Sequence, residues 1–178
     1  MKNTILLLLL FGFTFLGCNE NLDNTIMPSK VNIEKEVGSN YYVSELIDGE
    51  IGGWIIINDY YINAQGEPIT IYLRLRILPG SYQGIQNIEM FLNPDDASIQ
   101  FYPEMTFSRE VRLDLWYIGV DLRALGYTSS GDVDFVYFAD NGDIEIIENN
   151  KSSVDLNKNK IQVHNAKLTH FSRYGWIR

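Results

Sequence analysis

Two residues near the end of the chain, His170 and Ser172, have the types and the spacing that could support covalent chemistry. A histidine can remove the proton of a serine hydroxyl and so make its oxygen a nucleophile. Residues 168–176 read as a strand, and residues two positions apart in a strand lie on the same side. The same pair can instead form an ordinary hydrogen bond in a closing strand, which is the interpretation we prefer.

Three further residues, Trp116, Arg112 and Tyr72, are candidate binding residues. In residues 111–117 the apolar side chains fall on one side and leave Trp116 beside Arg112 on the other. In residues 69–77 the same alternation puts Tyr72 on the polar side. An exposed aromatic ring can stack on a sugar or anchor a protein interface. If both faces of the sheet are covered, Trp116 is instead part of the core.

Other polar clusters lack the spacing of a known metal or catalytic site. The chain has one Cys, and His164 and His170 lie in predicted strands without zinc ligands at a usable spacing. Residues 140–143, Asp-Asn-Gly-Asp, lack the distant Glu of a calcium loop and predict a tight hairpin. The sequence contains no nucleophile elbow, phosphate loop or dinucleotide motif. We therefore expect no cofactor, no metal and no enzymatic activity.

Alternation with a period of two recurs along the chain and predicts strands. The alternating runs are residues 69–77, 111–117, 132–138, 143–147 and 160–163. Turn residues separate the runs, as in Pro79-Gly80-Ser81. Residues 54–57 form a continuous apolar run, which is typical of a strand buried on both faces. The sequence thus predicts an all-β fold, a single antiparallel β-sandwich domain over residues 38–178.

The start of the chain has the pattern of an export signal. Lys2 precedes an apolar run too short to span a bilayer comfortably, so residues 1–17 predict a signal peptide. The ending Phe15-Leu16-Gly17-Cys18 resembles the lipobox of bacterial lipoproteins, although Phe15 stands where an aliphatic residue is usual. That resemblance implies acylation of Cys18 and an anchor in a membrane of the bacterial cell envelope, periplasmic or surface-exposed. The polar residues 18–37 predict a short tether.

The charge balance limits the kinds of partner. The chain has 14 Lys and Arg against 23 Asp and Glu, a formal net charge of −9, and loss of Lys2 with the signal peptide would make it −10. Such acidity argues against nucleic acid or an anionic membrane surface as a partner. With a single Cys the chain cannot form an internal disulfide, so we expect stability to come from the core, in a monomer.

The order of several short motifs over residues 45–178 resembles the ZU-five domain, the β-sandwich module of zonula occludens proteins, netrin receptors and ankyrins. The motifs include Gly52-Gly53-Trp54, Pro79-Gly80-Ser81, Phe101-Tyr102-Pro103, Val111-Arg112-Leu113-Asp114-Leu115 and His170-Phe171-Ser172. Ser81 departs from the pattern, because the family favours Ala there. The resemblance implies a protein-interaction or structural module without a cofactor or an active site.

The resemblance also implies an alternative. Some ZU-five relatives, in death-domain proteins, cut themselves between the Phe and the Ser of a His-Phe-Ser triplet by an N-to-O acyl shift. Here the cut would fall at Phe171–Ser172, and it would need a strained peptide bond. Three hypotheses therefore stand: a non-enzymatic envelope binding or structural module with an unknown protein or glycan partner, a glycan-binding β-sandwich using exposed Tyr and Trp, and a self-cleaving domain.

Overall fold

The computed structural model describes residues 32–35 and 41–177. The predicted signal peptide, Cys18 and most of the predicted tether lie outside the described residues. The sheet nevertheless begins within the predicted tether, because residues 32–35 pair with a later strand. None of the described residues belongs to a helix long and apolar enough to cross a membrane.

Eleven strands make up the described part of the chain, and every pairing between them is antiparallel. They are β1 (Asn32–Lys35), β2 (Tyr41–Asp48), β3 (Gly53–Ile62), β4 (Pro68–Ile77), β5 (Ile85–Asn93), β6 (Ser98–Ile118), β7 (Gly131–Asp132), β8 (Asp134–Phe138), β9 (Ile144–Ile146), β10 (Lys151–Asp155) and β11 (Lys160–Ile177). The described residues contain no helix. The predicted all-β, antiparallel fold is therefore confirmed.

Two long strands, β6 and β11, pair with each other and connect the rest of the sheet. The other strands form two sections, one at each end of this pair. In the first section, β5 pairs with the start of β6, β8 pairs with the end of β11, and β2, β1 and β9 extend the two edges. In the second section, β4 pairs with the end of β6, β10 pairs with the start of β11, and β3 and β7 extend the edges. Since these hydrogen bonds join both sections into one network, the two-sheet sandwich stays a prediction.

The two sections contact each other because β6 and β11 bend. Tyr117 Oη donates a hydrogen bond of 2.8 Å to the carbonyl oxygen of Ser98, although both residues belong to β6 and are 19 residues apart. Straight, that stretch would span about 60 Å. Trp176 Nε1 on the last part of β11 donates similarly to Ser152 Oγ on β10, at 2.9 Å. The strand β11 is interrupted by three register shifts, and such irregularities bend strands.

The core takes buried residues from both sections and follows the predicted alternation. In β4 every odd-numbered residue from Ile69 to Ile77 is buried, whereas Tyr72, Arg74 and Arg76 are half-buried or exposed. The predicted hairpin at residues 140–143 connects β8 and β9, with Gly142 at a φ of 88° that favours glycine. The prediction that residues 54–57 are buried on both faces is wrong: Trp54 and Ile56 are exposed, and Ile55 and Ile57 are buried. The strand β3 has one buried face because no other layer of the described residues covers its outer side.

The hydrogen bond of Tyr117 provides a test of the bend in β6. Tyr117→Phe removes the donor and leaves a buried carbonyl oxygen without its partner, so we expect a loss of about 1–3 kcal/mol in the free energy of unfolding. Urea denaturation measures the loss. Tyr72→Phe is the matched control, because the Tyr72 hydroxyl makes no hydrogen bond within residues 41–177. Equal stability of Tyr117→Phe and the wild type would contradict the fold described.

Candidate functional site

The outer face of the second section brings together the three binding candidates from the sequence. The register pairs Tyr72 with Trp116 and Arg76 with Arg112 across β4 and β6. Even-numbered residues of β3, β4 and β6 share this face, because their odd-numbered neighbours point into the core. We call this surface the outer patch, and it consists of Trp54, Ile56, Tyr72, Arg74, Arg76, Arg112, Asp114 and Trp116.

The aromatic rings of Tyr72 and Trp116 stack on each other and cover each other's faces. Their centroids are 3.8 Å apart and their planes differ by 9°. The Lys160 ammonium lies 4.9 Å from the Trp116 ring centroid, and the His164 ring lies 5.4 Å away. Burial lowers the pKa of Lys160 below its usual value, and the positive charge of Lys158 adds to this. Trp116 is therefore neither a core residue nor an open aromatic platform, and it is half-buried.

Asp114 holds the centre of the outer patch in place. Its Oδ2 accepts hydrogen bonds from Arg74 Nε at 2.8 Å and Arg74 Nη2 at 2.6 Å. Its Oδ1 accepts from the backbone N–H of Asn165 at 3.1 Å, where β11 has a register shift and Asn165 has a φ of 52°. The hydrogen bond to Asp114 raises the pKa of Arg74 above its usual value. One carboxylate thus connects β4, β6 and the irregular part of β11.

Positive charge is concentrated in a row across the patch. Arg112 lies between Arg76 on β4 and Lys167 on β11. Arg112 pairs with Glu110 at 2.8 Å, and Lys167 pairs with Glu148. Within residues 41–177 Arg76 has no carboxylate partner, and Arg112 Nη1 is buried without a hydrogen bond. An acidic chain therefore presents a locally cationic surface.

Trp54, whose apolar run predicted burial on both faces, completes this surface. Its side chain is 46% exposed, and the guanidinium carbons of Arg76 and Arg74 lie 4.9 and 5.7 Å from its ring centroid. A groove of about 610 Å³ runs beside it, lined in part by Ile51, Ile56 and Pro79. The run Trp-Ile-Ile-Ile concealed the exposure of Trp54, because an apolar residue on an uncovered face looks like a core residue in sequence.

The second candidate pair, His170 and Ser172, lies on β11 in the first section, and both border a depression of about 300 Å³. Within the described residues no hydrogen bond joins them. Instead, His170 Nδ1 is 3.1 Å from Tyr174 Oη, which also donates to the His170 carbonyl oxygen at 2.6 Å. Burial raises the pKa of Tyr174 far above its usual value, so its hydroxyl stays protonated. The expected His–Ser hydrogen bond is thus replaced by a His–Tyr contact, while an intact Phe171–Ser172 bond stays the prediction and cleavage there stays the alternative.

A buried carboxyl lies elsewhere, on the inner face of β2. Glu45 is 4% exposed, and its Oε2 has no hydrogen-bond partner among the described residues. Burial raises its pKa from 4.5 to about 7. Glu45 therefore binds a proton more tightly in the folded chain than in the unfolded one.

Within residues 32–35 and 41–177, no group of three His, Cys, Asp or Glu residues is arranged to hold a metal ion. The chain matches no protein-family model, no curated protein and no solved structure. The likeness to the ZU-five domain therefore rests on the sequence motifs.

The raised pKa of Glu45 predicts a pH dependence of stability. Between pH about 4.5 and about 7 the folded chain keeps a proton that the unfolded chain has lost, so stability falls as the pH rises through this window. Glu45→Met removes the unpaired carboxyl, and we expect it to stabilise the protein at pH 8 by about 1–3 kcal/mol. Urea denaturation at pH 5 and pH 8 measures both effects. Glu50→Gln, at an exposed position, is the control. If stability falls as much between pH 5 and pH 8 in Glu45→Met as in the wild type, Glu45 is not the cause of the pH dependence.

The bonds of Asp114 predict the cost of disturbing the patch. Asp114→Asn removes the negative charge that Arg74 and the Asn165 N–H share, and we expect a loss of about 1–3 kcal/mol, because the carboxylate is largely buried. Glu110→Gln breaks the more exposed pair with Arg112 and should cost about 0–1 kcal/mol. Denaturation at low and high salt measures both variants. Equal effects of the two substitutions would show that Asp114 does not organise the patch.

Proposed function

We propose that the chain is a non-enzymatic, lipid-anchored binding module of the bacterial cell envelope, and that its partner is a protein. The observation that carries this proposal is the outer patch, where exposed Trp and Ile side chains lie among arginines on the face of a sheet. Trp and Arg are the residue types that contribute most to protein–protein interfaces. A surface that joins both types to a groove has the composition of an interface centre.

The order of the patch supports binding rather than a purely structural role. Asp114 fixes Arg74 by two hydrogen bonds, and Trp54 lies beneath the guanidinium groups of Arg74 and Arg76. Side chains that are held before binding lose less conformational entropy when a partner arrives. A neutral or acidic face would serve a scaffold equally well, so Arg76, which has no carboxylate partner within residues 41–177, is better explained by a partner with negative charge.

The geometry of the aromatic rings favours a protein over a glycan. A sugar packs its C–H groups on the open, flat face of an aromatic ring. The rings of Tyr72 and Trp116 cover each other, and two guanidinium groups lie over Trp54. The patch exposes ring edges, the Ile56 side chain and charged groups. These groups match the mixture of apolar and charged side chains on a protein surface.

The position at a membrane rests on residues outside the described part. The resemblance to a lipobox at Cys18 supports acylation, and each buried methylene of an acyl chain contributes about 0.8 kcal/mol to membrane binding. Several chains on one residue would hold the domain at the envelope without a spanning helix. The outer patch would then meet partners close to that membrane.

Site-specific photo-crosslinking of the full, anchored protein tests this function. A photoreactive amino acid at Ile56 should form adducts with one protein partner, because that side chain is exposed in the patch and lines the groove. The matched control is the same amino acid at Ile146, which is exposed on β9 in the first section and should form no such adduct. Trp54→Ser and Arg76→Glu in the Ile56 background should each remove the adduct.

The same preparation tests the anchor. Cys18→Ala should release the protein from the membrane fraction or leave it unprocessed, and the adduct should weaken with it. Identical adducts from Ile56 and Ile146, or adducts to polysaccharide alone, would contradict a protein partner at this face. Wild-type protein that is fully soluble after export, with an unmodified Cys18 thiol, would contradict the anchor.

A further inference from the structure

The strand β3 lies at an edge of the sheet, since it pairs only with β4 in the part of the chain that the structure describes. A hydrogen bond at the turn between β3 and β4 shows which residues of β3 bond to β4. Asn63 N donates to the Glu67 carbonyl oxygen at 2.9 Å, so these two residues form a hydrogen-bonded pair. In an antiparallel ladder the bonded pairs alternate, so odd-numbered residues of β3 bond to β4. The N–H and C=O groups of Trp54, Ile56 and Asn58 therefore point away from β4, towards the edge.

These three residues also present exposed side chains on the outer face. Trp54 and Ile56 are 46% and 55% exposed, and Asn58 is exposed as well. Edge strands are usually protected from pairing by Pro, by charged side chains or by a covering element. Residues 53–58 contain neither a Pro nor a charge, and within residues 41–177 no hydrogen bond to the backbone of Trp54, Ile56 or Asn58 comes from outside β3 and β4. The edge is thus built to accept a strand.

The charge beside this edge indicates what the added strand carries. The Arg76 guanidinium lies over Trp54 and has no carboxylate partner in residues 41–177, and Arg74 reaches the same ring. Side chains of an added strand that lie on the outer face would meet Trp54 and these guanidinium groups. Arg74 is already bound to Asp114, so a carboxylate of the added strand would pair with Arg76, and a second one at an alternate position would lie near Arg74.

We propose that β3 binds an extended, acidic segment of a partner protein by β-strand addition at Trp54–Asn58, with the carboxylates of the segment facing Arg74 and Arg76. This inference rests on the proposed function and specifies its binding mode. Main-chain hydrogen bonds supply affinity in this mode, and side chains at alternate positions supply specificity.

A second copy of this chain is a poorer occupant. If β3 paired with β3 of another copy, the hydrogen bonds would join residues whose N–H and C=O groups point away from β4. These are the even-numbered residues. Asp59 is the one charged residue of β3. Because its number is odd, its side chain lies on the inner face of the sheet in every such register. Self-pairing would therefore bring no carboxylate to Arg76.

The probe for the test is an acetylated, amidated heptapeptide of alternating valine and glutamate, titrated into the full-length protein in detergent. The expected result is saturable binding, with amide hydrogen exchange slowed at least tenfold at Trp54, Ile56 and Asn58. A peptide with lysine in place of glutamate should bind at least tenfold more weakly. The glutamate peptide with N-methyl groups on alternate amides should also lose at least tenfold, since it lacks the donors for the ladder.

Two protein variants separate the backbone from the charge. Ile56→Pro removes an outward N–H that does not bond to β4, a substitution that edge strands tolerate, and should weaken peptide binding at least tenfold. Arg76→Glu should weaken the glutamate peptide at least tenfold and strengthen the lysine peptide. Circular dichroism checks that both variants are folded, and if Ile56→Pro is not, the N-methylated peptide on wild-type protein decides.

Equal binding of the N-methylated and unmodified peptides, or absence of peptide binding, overturns strand addition. Protection of Trp54, Ile56 and Asn58 that appears without peptide and rises with protein concentration overturns it in favour of a second copy. In either case a protein adduct from Ile56 that needs Arg76 leaves the proposed function standing. Loss of that adduct together with intact peptide binding overturns the proposed function alone.

Discussion

The pairing of β6 with β11 is the interaction on which the rest of the structure depends. Each strand belongs to both sections, so the two sections of the sheet are joined by continuous backbone rather than by loops. This connection works only because both strands bend, and the hydrogen bond from Tyr117 to Ser98 closes the bend across the core. The described part of the chain has no disulfide, and the long β6–β11 ladder stabilises it instead. The two ends of this ladder also contact each other.

The outer patch follows from the same pairing. Because β6 alternates strictly near its end, Leu113 and Leu115 enter the core while Arg112, Asp114 and Trp116 face outward. The neighbours β4 and β11 then supply the partners: the ring of Tyr72, the guanidinium of Arg74 and the irregular backbone at Asn165. Packing energy from one side of the strand therefore fixes the position of charged groups on the other. The proposed interface needs no mobile loop to form.

Alternation in the sequence predicted the positions of the strands well. It predicted less well which faces of the strands are buried. In β4, Leu73 and Arg74 have opposite surroundings, and the sequence alone shows which of them is buried. In β3 the apolar Ile56 is exposed, because burial of a second face depends on a neighbouring layer and not on the strand itself. His170 shows a second limit. Register shifts on either side of Phe171 put both Leu168 and Phe171 in the core, so counting by twos from Leu168 fails to place His170. The site residues on β4 and β6 could thus be predicted, whereas Trp54 and the contact of His170 with Tyr174 could not.

An exposed apolar edge is a hazard for aggregation, and the structure limits it. Asp59 Oδ1 accepts a hydrogen bond from the Tyr60 N–H at 2.7 Å, so a carboxylate occupies the next donor along the edge. The stretch from Trp54 to Asn58 is about 17 Å long at the usual rise of an antiparallel strand. Stacks of identical strands need segments of about six residues with low charge, and here the adjoining arginines of each copy would repel those of the next. An acidic segment from another protein faces no such repulsion. The same short edge that resists self-stacking is therefore suited to one kind of foreign strand.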